Sequence, residues 1–376
     1  MRVAFYAPMK APDHPVPSGD RNMARLLWRA MERSGHEVVL ASRLRGRVPD
    51  GDAAEQARRA KLGARIAERI VAGASPPPDL WFTYHLYYKA PDWIGPRVAR
   101  TLDIPYVVAE ASVAPKRAGG PWDMSYRAVL DALAQADAVI PLNPRNAACL
   151  PDSAKLRDLP PFVEIPDSPD RASARAHWRA TAGLPDNAPW IIAAGMMRAG
   201  DKLASYRLLA EALGRLADLE WVVLLAGDGP ARSAVEEAFA ALPSGRVRFL
   251  GALPPEALHG LFSAGDLYVW PAVNEAYGMA LLEAQALGLP VVAGREGGVP
   301  AVVADGVSGL LTAPRDDDAL SAAIAQLLED SGRRRALGQG AARYLRQSHG
   351  FAAAAEGLDC ILRGAAADHR RGRPGA

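Results

Sequence analysis

Glu275 and Glu283 stand eight positions apart in NEAYGMALLEAQALG (274–288), on either side of Gly278 and where an irregular stretch becomes helical. An ionised carboxylate only accepts hydrogen bonds, so a glutamate lining a binding site meets hydroxyl donors rather than phosphate. A vicinal diol, as in ribose or a hexose, suits it. The backbone N–H groups of Ala276, Tyr277, Gly278 and Met279 fall at the expected helix N-terminus, whose positive partial charge suits a phosphate. Gly278 lets a ligand come close to the backbone. One carboxylate for a ribose, one for a second sugar and phosphates between them describe a nucleotide sugar. Taken alone, the pair reads first as ordinary charge, with Glu283 on a solvated helix face.

MMRAGDKLASY (196–206) follows the apolar run WIIAAG and puts Arg198 and Lys202 on a loop and the start of the next helix. Arg forks two phosphate oxygens and Lys supplies a point charge. Cations aimed at a departing diphosphate lower the barrier to breaking its bond to a sugar. PVPSGDRN (15–22) joins the first apolar run to the first helix, with Gly19 open to a phosphate and Asp20 suited to cap the helix. A purely structural turn fits that loop as well.

Such residues need strands and helices to aim them. Short apolar runs alternate with helical periodicity along the 376 residues, the rhythm of parallel βαβ units. Strands are expected at RVAFYA, EVVLAS, DLWFTYH, PYVVAEA and DAVIPLN in the first half, and at WIIAAG, EWVVLLAG, VRFLG, LYVWP and PVVAG in the second. Helices between them include 20–34 and 53–72. The length exceeds what one core usually serves, so the expected fold class is α/β, two tandem Rossmann-like domains. A polar, proline-interrupted stretch at 158–189 separates them, with the linker at Phe162–Ser168. The expected bounds are 1–164, 165–345, a helical segment at 346–366 and a disordered tail at 367–376. Ligands of open parallel sheets bind beyond the carboxyl ends of the strands. Two such domains facing each other would share a cleft.

With 49% hydrophobic and 23% charged residues and a net charge of +2, the chain reads as soluble and globular, with no global reason to bind nucleic acid. Cys149 and Cys360 are too few for a disulfide framework or a zinc site, which points to buried or idle thiols in a reducing cytoplasm. MRVAFYAP is too short an apolar run for a signal peptide, and no stretch approaches the roughly 18 apolar residues of a membrane span. A cytoplasmic location is expected. Arg21, Arg25, Arg29 and Arg33 recur at steps of four beside Leu27, Trp28 and Met31, and EQARRAKLGARIAERIVAG is also basic. That stripe fits peripheral contact with an anionic membrane, at its inner face, and hence a lipid-linked acceptor. A solvated face paired with Asp20 and Glu32 is the commoner explanation of such a stripe.

PAVNEAYGMALLEAQALGLPVVAGREGGVPAVVADGVSGLLTAPRDDDALSAAIAQLLED (271–330) resembles the C-terminal nucleotide-binding domain of retaining glycosyltransferases of family 4, the glycosyl transferases group 1, which have the two-Rossmann GT-B fold. The family's E-x7-E signature falls on Glu275 and Glu283, and GLPVVAGREGG and ADGVSGLL follow in its order. LLAGDGP, FLGALPPEALHGLFSAGDLYVWP, LPPFVE and GHEVVLAS extend the resemblance over most of the chain, more loosely in the N-terminal half.

The resemblance implies that Glu283 holds the ribose hydroxyls and Glu275 contacts the transferred sugar. The N–H groups after Glu275 would bind donor hydroxyls and the distal phosphate, and Gly251 and Ala252 would border the nucleobase. It implies that the Gly19 loop serves the diphosphate and the acceptor. The first domain would be the acceptor side and the second the nucleotide-sugar side, with the C-terminal helix returning to the first. Helix ends and cations would do the work of a metal, so RDDDAL (315–320) reads as helix capping, and no cofactor is expected beyond the donor itself. The implied reaction moves a sugar from a nucleoside diphosphate to an acceptor hydroxyl with retention, in polysaccharide, glycolipid or other glycoconjugate synthesis. A sugar-nucleotide epimerase or phosphorylase of the same fold, or a catalytically silent nucleotide-sugar-binding partner, are the alternatives. Three departures stand out. Met196 follows Gly195 where the family has its arginine, and Arg198 to Lys202 is a spacing of four rather than five. The fourth strand ends in Glu110 and Ser112 where histidine is common; His85 is a partial substitute or, as a lone histidine near a strand end more often is, structural. Ala301 replaces the glutamate after GGVP.

Overall fold

The computed structural model describes residues 1–16, 18–73, 76–142, 147–151, 156–164, 170–185 and 187–372. The linker expected at Phe162–Ser168 and the last residue of DAVIPLN lie partly outside them. The chain divides into two compact units, 1–160 with 351–376, and 161–350.

The first unit is a parallel sheet of β1 (Arg2–Tyr6), β2 (Glu37–Ser42), β3 (Leu80–Tyr87), β4 (Tyr106–Ser112) and β5 (Ala138–Ile140), in the order β2-β1-β3-β4-β5. The connections carry α1 (Gly19–Arg33), α2 (Ala53–Gly73), α3 (Gly95–Leu102) and α4 (Asp123–Gln135). The inner strands read as apolar runs because helices cover both faces of a parallel sheet. One carboxyl is spent inside this core. Asp92, 3% exposed, accepts from Thr83 Oγ1 (2.6 Å), Tyr106 Oη (3.1 Å) and the N–H groups of Ile94 (2.8 Å) and Gly95 (2.7 Å). Burial pushes its pKa up, against the pull of those four donors. It ties the start of α3 to β3 and β4.

The second unit is a six-stranded parallel sheet, β11-β10-β9-β6-β7-β8. Its strands are β6 (Trp190–Ala194), β7 (Val222–Ala226), β8 (Val247–Gly251), β9 (Leu267–Trp270), β10 (Val291–Gly294) and β11 (Gly309–Thr312). Its helices are α5 (Arg171–Ala182), α6 (Asp201–Gly214), α7 (Arg232–Phe239), α8 (Pro255–Ala264), α9 (Met279–Ala286), α10 (Asp317–Glu329) and α11 (Ser331–Ser348). Trp190, Trp221, Trp270, Tyr206, Tyr268 and Phe262 fill its core. Strand β11 was not among the expected strands: four residues on the sheet edge are too short to show a period. The α/β class with two Rossmann-like sheets is otherwise as expected.

Helix capping departs from expectation in one place. Ser18, not Asp20, caps α1, its Oγ accepting from Arg21 N at 3.3 Å. Asp20 lies two residues past the cap, inside the first turn, and turns its carboxylate elsewhere. Asp316 does cap α10, accepting from Ala319 N at 2.8 Å, while Asp317 and Asp318 pair with Arg215.

The last helix, α12 (Phe351–Arg371), packs on α1 in the first unit. Ser34 Oγ donates to Ala355 O (3.0 Å), His36 Nε2 meets Asp359 Oδ1 (2.7 Å), and Arg29 lies over the Phe351 ring. The helix runs on into the stretch expected to be a tail because His369 reaches Asp137 (3.2 Å) and Asp103 (3.3 Å). Residues 373–376 of that tail lie outside the described residues. The arginine stripe of α1 is partly consumed: Arg21 donates to His14 O and Pro15 O, and Arg25 to Pro12 O. Cys149 and Cys360 are exposed free thiols rather than buried ones.

Replacing Asp92 by Ala strands buried donors of α3, Thr83 and Tyr106. The expected loss of stability is about 3 kcal/mol or more in urea denaturation; a loss under about 1 kcal/mol would show that Asp92 does not organise this core.

Candidate active site

The chain leaves β9 at Trp270 and turns through 271–278 before α9 begins. Ala272 and Asn274 hold φ angles of 60° and 49°, a left-handed region that side chains other than glycine rarely occupy. Side chains from three directions fix this turn. Val273 N donates to Ser205 Oγ (3.0 Å), Asn274 N to Glu296 Oε2 (2.7 Å), and Asn274 Nδ2 to Asp201 Oδ2 (3.0 Å). Glu296 is itself held by Arg315 at 3.2 Å. Backbone fit does the rest: a Cβ on Gly297 would stand 1.6 Å from Glu275 O, so only glycine passes there.

Glu275 is presented by that turn. Its Oε2 accepts from Lys202 Nζ at 2.5 Å and from Trp270 Nε1 at 3.0 Å. Lys202 Nζ also lies 5.0 Å from the centre of the Trp270 ring. Tyr206 packs edge-on to the indole at 5.1 Å and donates its hydroxyl to Gly195 O at 2.8 Å. Lys202 sits in the first turn of α6, where the helix dipole disfavours a cation. The carboxylate and the indole face hold it there. Arg198 is exposed on the preceding loop, and its side chain has no hydrogen bond or ion pair among the described residues.

Gly278 caps α9 with a φ of 71° and supplies no side-chain acceptor to the helix end. The helix starts one residue later than Gly278, at Met279. Glu283 lies in its second turn, half-buried. Burial pushes its carboxyl up to about 7, and it makes no hydrogen bond or ion pair among the described residues. That excludes the ordinary solvated helix residue. The buried Tyr268 hydroxyl is raised chiefly by burial, then by Tyr206 and by the charges of Glu275 and Glu283. Gly251 takes a φ of 71° at the end of β8, its carbonyl accepting from Gly227 N at 2.7 Å, and Ala252 beyond it is exposed.

In the first unit, Gly19 is the exposed first residue of α1, with open space where a Cβ would be. Asp20 Oδ1 meets His85 Nδ1 at 2.7 Å. His85 and Glu110 hold φ angles of 64° and 56° in neighbouring strands. The pairs Tyr84↔Ala109 and Leu86↔Ala111 flank them in unbroken register, so the two residues form matched kinks. Burial lowers the His85 pKa, but the Asp20 hydrogen bond and the charges of Asp20 and Glu110 outweigh it, and the net shift is upward. Asp20 moves down despite its burial, because His85 and Lys10 stabilise the carboxylate. The structure thus gathers Asp20, His85 and Glu110 in one unit and Lys202, Glu275 and Glu283 in the other. Trp270, Tyr206 and Glu296 were not singled out in the sequence; only the adjacency of Trp270 to the turn hinted at it.

Residues 178–344 match the model of the family described as glycosyl transferases group 1. A protein of Corynebacterium diphtheriae called D-inositol 3-phosphate glycosyltransferase is 37% identical over 165 residues, 43% of this chain and 38% of that one. One of the same name from Salinispora tropica is 36% identical over 210 residues, 52% of this chain and 43% of that one. The matched segments span less than half the length of these two relatives. Among solved structures, sucrose-phosphate synthase from Thermosynechococcus elongatus superposes with a TM-score of 0.73 at 21% identity, covering 96% of this chain and 98% of that one. Anabaena HepE in complex with UDP gives 0.74 at 17% identity, covering 96% and 100%. These likenesses show the fold.

An acid whose folded pKa is raised costs stability once the pH climbs above its unfolded value of 4.5, and the full penalty is present above about 7. Glu283→Gln should therefore raise the melting temperature at pH 8 and leave it nearly unchanged at pH 4. Equal effects at both pH values would mean that the carboxyl is not desolvated.

Proposed function

We propose, from the match of residues 178–344 to the glycosyl transferases group 1 family and from the two-Rossmann GT-B fold, that the chain moves a sugar from a nucleoside diphosphate to an acceptor hydroxyl, retaining the anomeric configuration. The observation that carries the reading is the desolvated, unpartnered Glu283, on the helix that follows a Glu275 already neutralised by Lys202. A carboxylate without donors, beside a helix end and a cation, suits a ligand that brings both hydroxyls and phosphates.

In this reading Glu283 accepts the two ribose hydroxyls, and Glu275 the hydroxyls of the transferred sugar. The N–H groups of Ala276, Tyr277, Gly278 and Met279 take donor oxygens at the α9 N-terminus. Gly251 and Ala252 border the base. As the bond from the anomeric carbon to the phosphate oxygen breaks, its electron pair stays on the diphosphate. Arg198, Lys202 and the helix ends stabilise that charge, a task that calls for no metal or cofactor. The acceptor oxygen bonds to the anomeric carbon on the same face, and its proton passes to the leaving phosphate. Glu275 orients the donor rather than attacking it, since its Oε2 is already engaged by Lys202 and Trp270. The first unit serves the acceptor through Gly19, His85 and Glu110.

UDP is the first nucleotide to test, because HepE was crystallised with it. Peripheral contact with anionic lipid rests on exposed Lys61, Arg65 and Arg69 of α2, since α1 spends Arg21 and Arg25 on carbonyls. No described helix is long and apolar enough to cross a membrane. Liposome flotation without binding at low salt would remove the lipid contact.

UDP-sugar affinity should rise about tenfold between pH 6 and pH 8 as Glu283 ionises, and be flat in Glu283→Gln. Titration calorimetry checks this, and the nucleotide sugar itself does not titrate in that window. Lys202→Ala should cut turnover by about 10²-fold with donor affinity changed far less. Unchanged turnover in both Lys202→Ala and Arg198→Ala would remove the assigned roles.

A further inference from the structure

Lys89 and Arg117 crowd one pair of aromatic rings in the first unit. Arg117 Cζ lies 4.9 Å from the ring centres of both Tyr88 and Trp122, and Lys89 Nζ lies 5.9 and 5.2 Å from the same two. The rings meet edge to face at 5.7 Å. Arg117 Nη2 reaches Tyr88 Oη at 3.4 Å, while its Nε is buried and has no hydrogen-bond partner. Neither cation forms an ion pair among the described residues. Asp123, the acid nearest in sequence to Arg117, is taken by Arg127 and by Gly119 N.

The walls of this cluster are fixed. Trp122 Nε1 donates to Val48 O (3.0 Å), Val48 N donates to Lys89 O (2.8 Å), and Gln56 Nε2 donates to Pro121 O (2.8 Å). Two like charges on one ring pair repel, and the ring faces offset that repulsion only in part. A buried donor without a partner adds a further cost. An anion that reaches the half-buried Lys89 ammonium and Arg117 guanidinium relieves the repulsion between them. The cluster follows the carboxyl ends of β3 and β4, the edge at which open parallel sheets bind ligands. His85 and Glu110 lie on the same edge.

We propose that Lys89, Arg117 and the Tyr88 hydroxyl form a site for an anionic group, phosphate or carboxylate, carried by the ligand of the first unit. Building on the transferase reading, that group is a substituent of the acceptor. The site itself stands without that reading, because it is argued from the first unit alone.

The test is titration calorimetry on the full chain at low salt with a hexose monophosphate, a hexuronate and the parent hexose, with UDP run in parallel. Flotation on vesicles of phosphatidylcholine with and without phosphatidic acid covers a lipid-borne anion. Wild type should bind at least one anionic probe, free or on vesicles, and not the neutral counterpart. Lys89→Gln and Arg117→Gln should each weaken that binding by about tenfold or more, with UDP affinity unchanged. Binding of the free probe assigns the anion to a soluble acceptor, and binding confined to phosphatidic acid vesicles assigns it to a lipid headgroup. No saturable binding of any anionic probe, or binding that both variants retain, overturns the site. Lys89→Gln keeps both rings and Arg117 in place, so it decides the matter alone if Arg117→Gln fails to fold. Failure of UDP to bind would sink the donor reading and leave the anion result standing.

Discussion

A lysine in the first turn of a helix faces the positive end of the helix dipole, and much of the second unit is arranged so that Lys202 stays there. Glu275 supplies the opposite charge, and Trp270 fixes the carboxylate with its N–H and the ammonium with its ring. Tyr206 fixes Trp270 in turn and is anchored on Gly195 at the end of β6. Glu275 can reach Lys202 only because the turn after β9 accepts two left-handed residues, and Ser205, Asp201 and Glu296 hold that turn. The cation is thus preorganised by the core of the sheet, through a chain of contacts that starts at a buried indole. Such preorganisation is what lets a fixed charge act on a developing one without rearrangement.

Backbone strain is placed with the same economy in both units. His85 and Glu110 are kinked at matching positions of β3 and β4, and Ala272 and Asn274 are kinked just after β9. Each kink is next to regular, fully paired strand, so the cost is carried by hydrogen bonds already formed. A strand in regular register points alternate side chains to opposite faces of the sheet. Residues opposite each other on paired strands already share a face, and the left-handed backbone at His85 and Glu110 re-aims the two together, His85 toward Asp20.

The sheets were legible because parallel strands covered on both faces read as apolar runs such as WIIAAG and DLWFTYH. β11 was not, since GLLT is too short to show a period. Glu275, Glu283 and Lys202 were legible from residue type and position after strands, but their states were not. Nothing in the spelling distinguishes a glutamate that is neutralised from one that is desolvated. Trp270 reads as one more apolar strand residue, because the use of its N–H depends on where the following turn brings Glu275. Asp20 was assigned to the wrong task for a related reason. Either Ser18 or Asp20 satisfies the capping preference, and the choice falls to Ser18 because His85, 65 positions away, claims the aspartate.

The two glutamates of the 275–283 pair illustrate how one residue type is given two jobs. Glu275 has its donors within the protein, so its charge is matched before any ligand arrives and it costs little to keep. Glu283 has none among the described residues, and near neutral pH it is held close to the midpoint of its titration by burial. A ligand that donates two hydroxyl hydrogen bonds to Glu283 gives the anion what burial removed, and so ionises it on binding. The energy released is larger than a solvated carboxylate could return, because that carboxylate would first have to give up water. Discrimination for a diol over a ligand lacking one follows from the same fact: without the diol, the group stays buried with no donor to replace the water it lost.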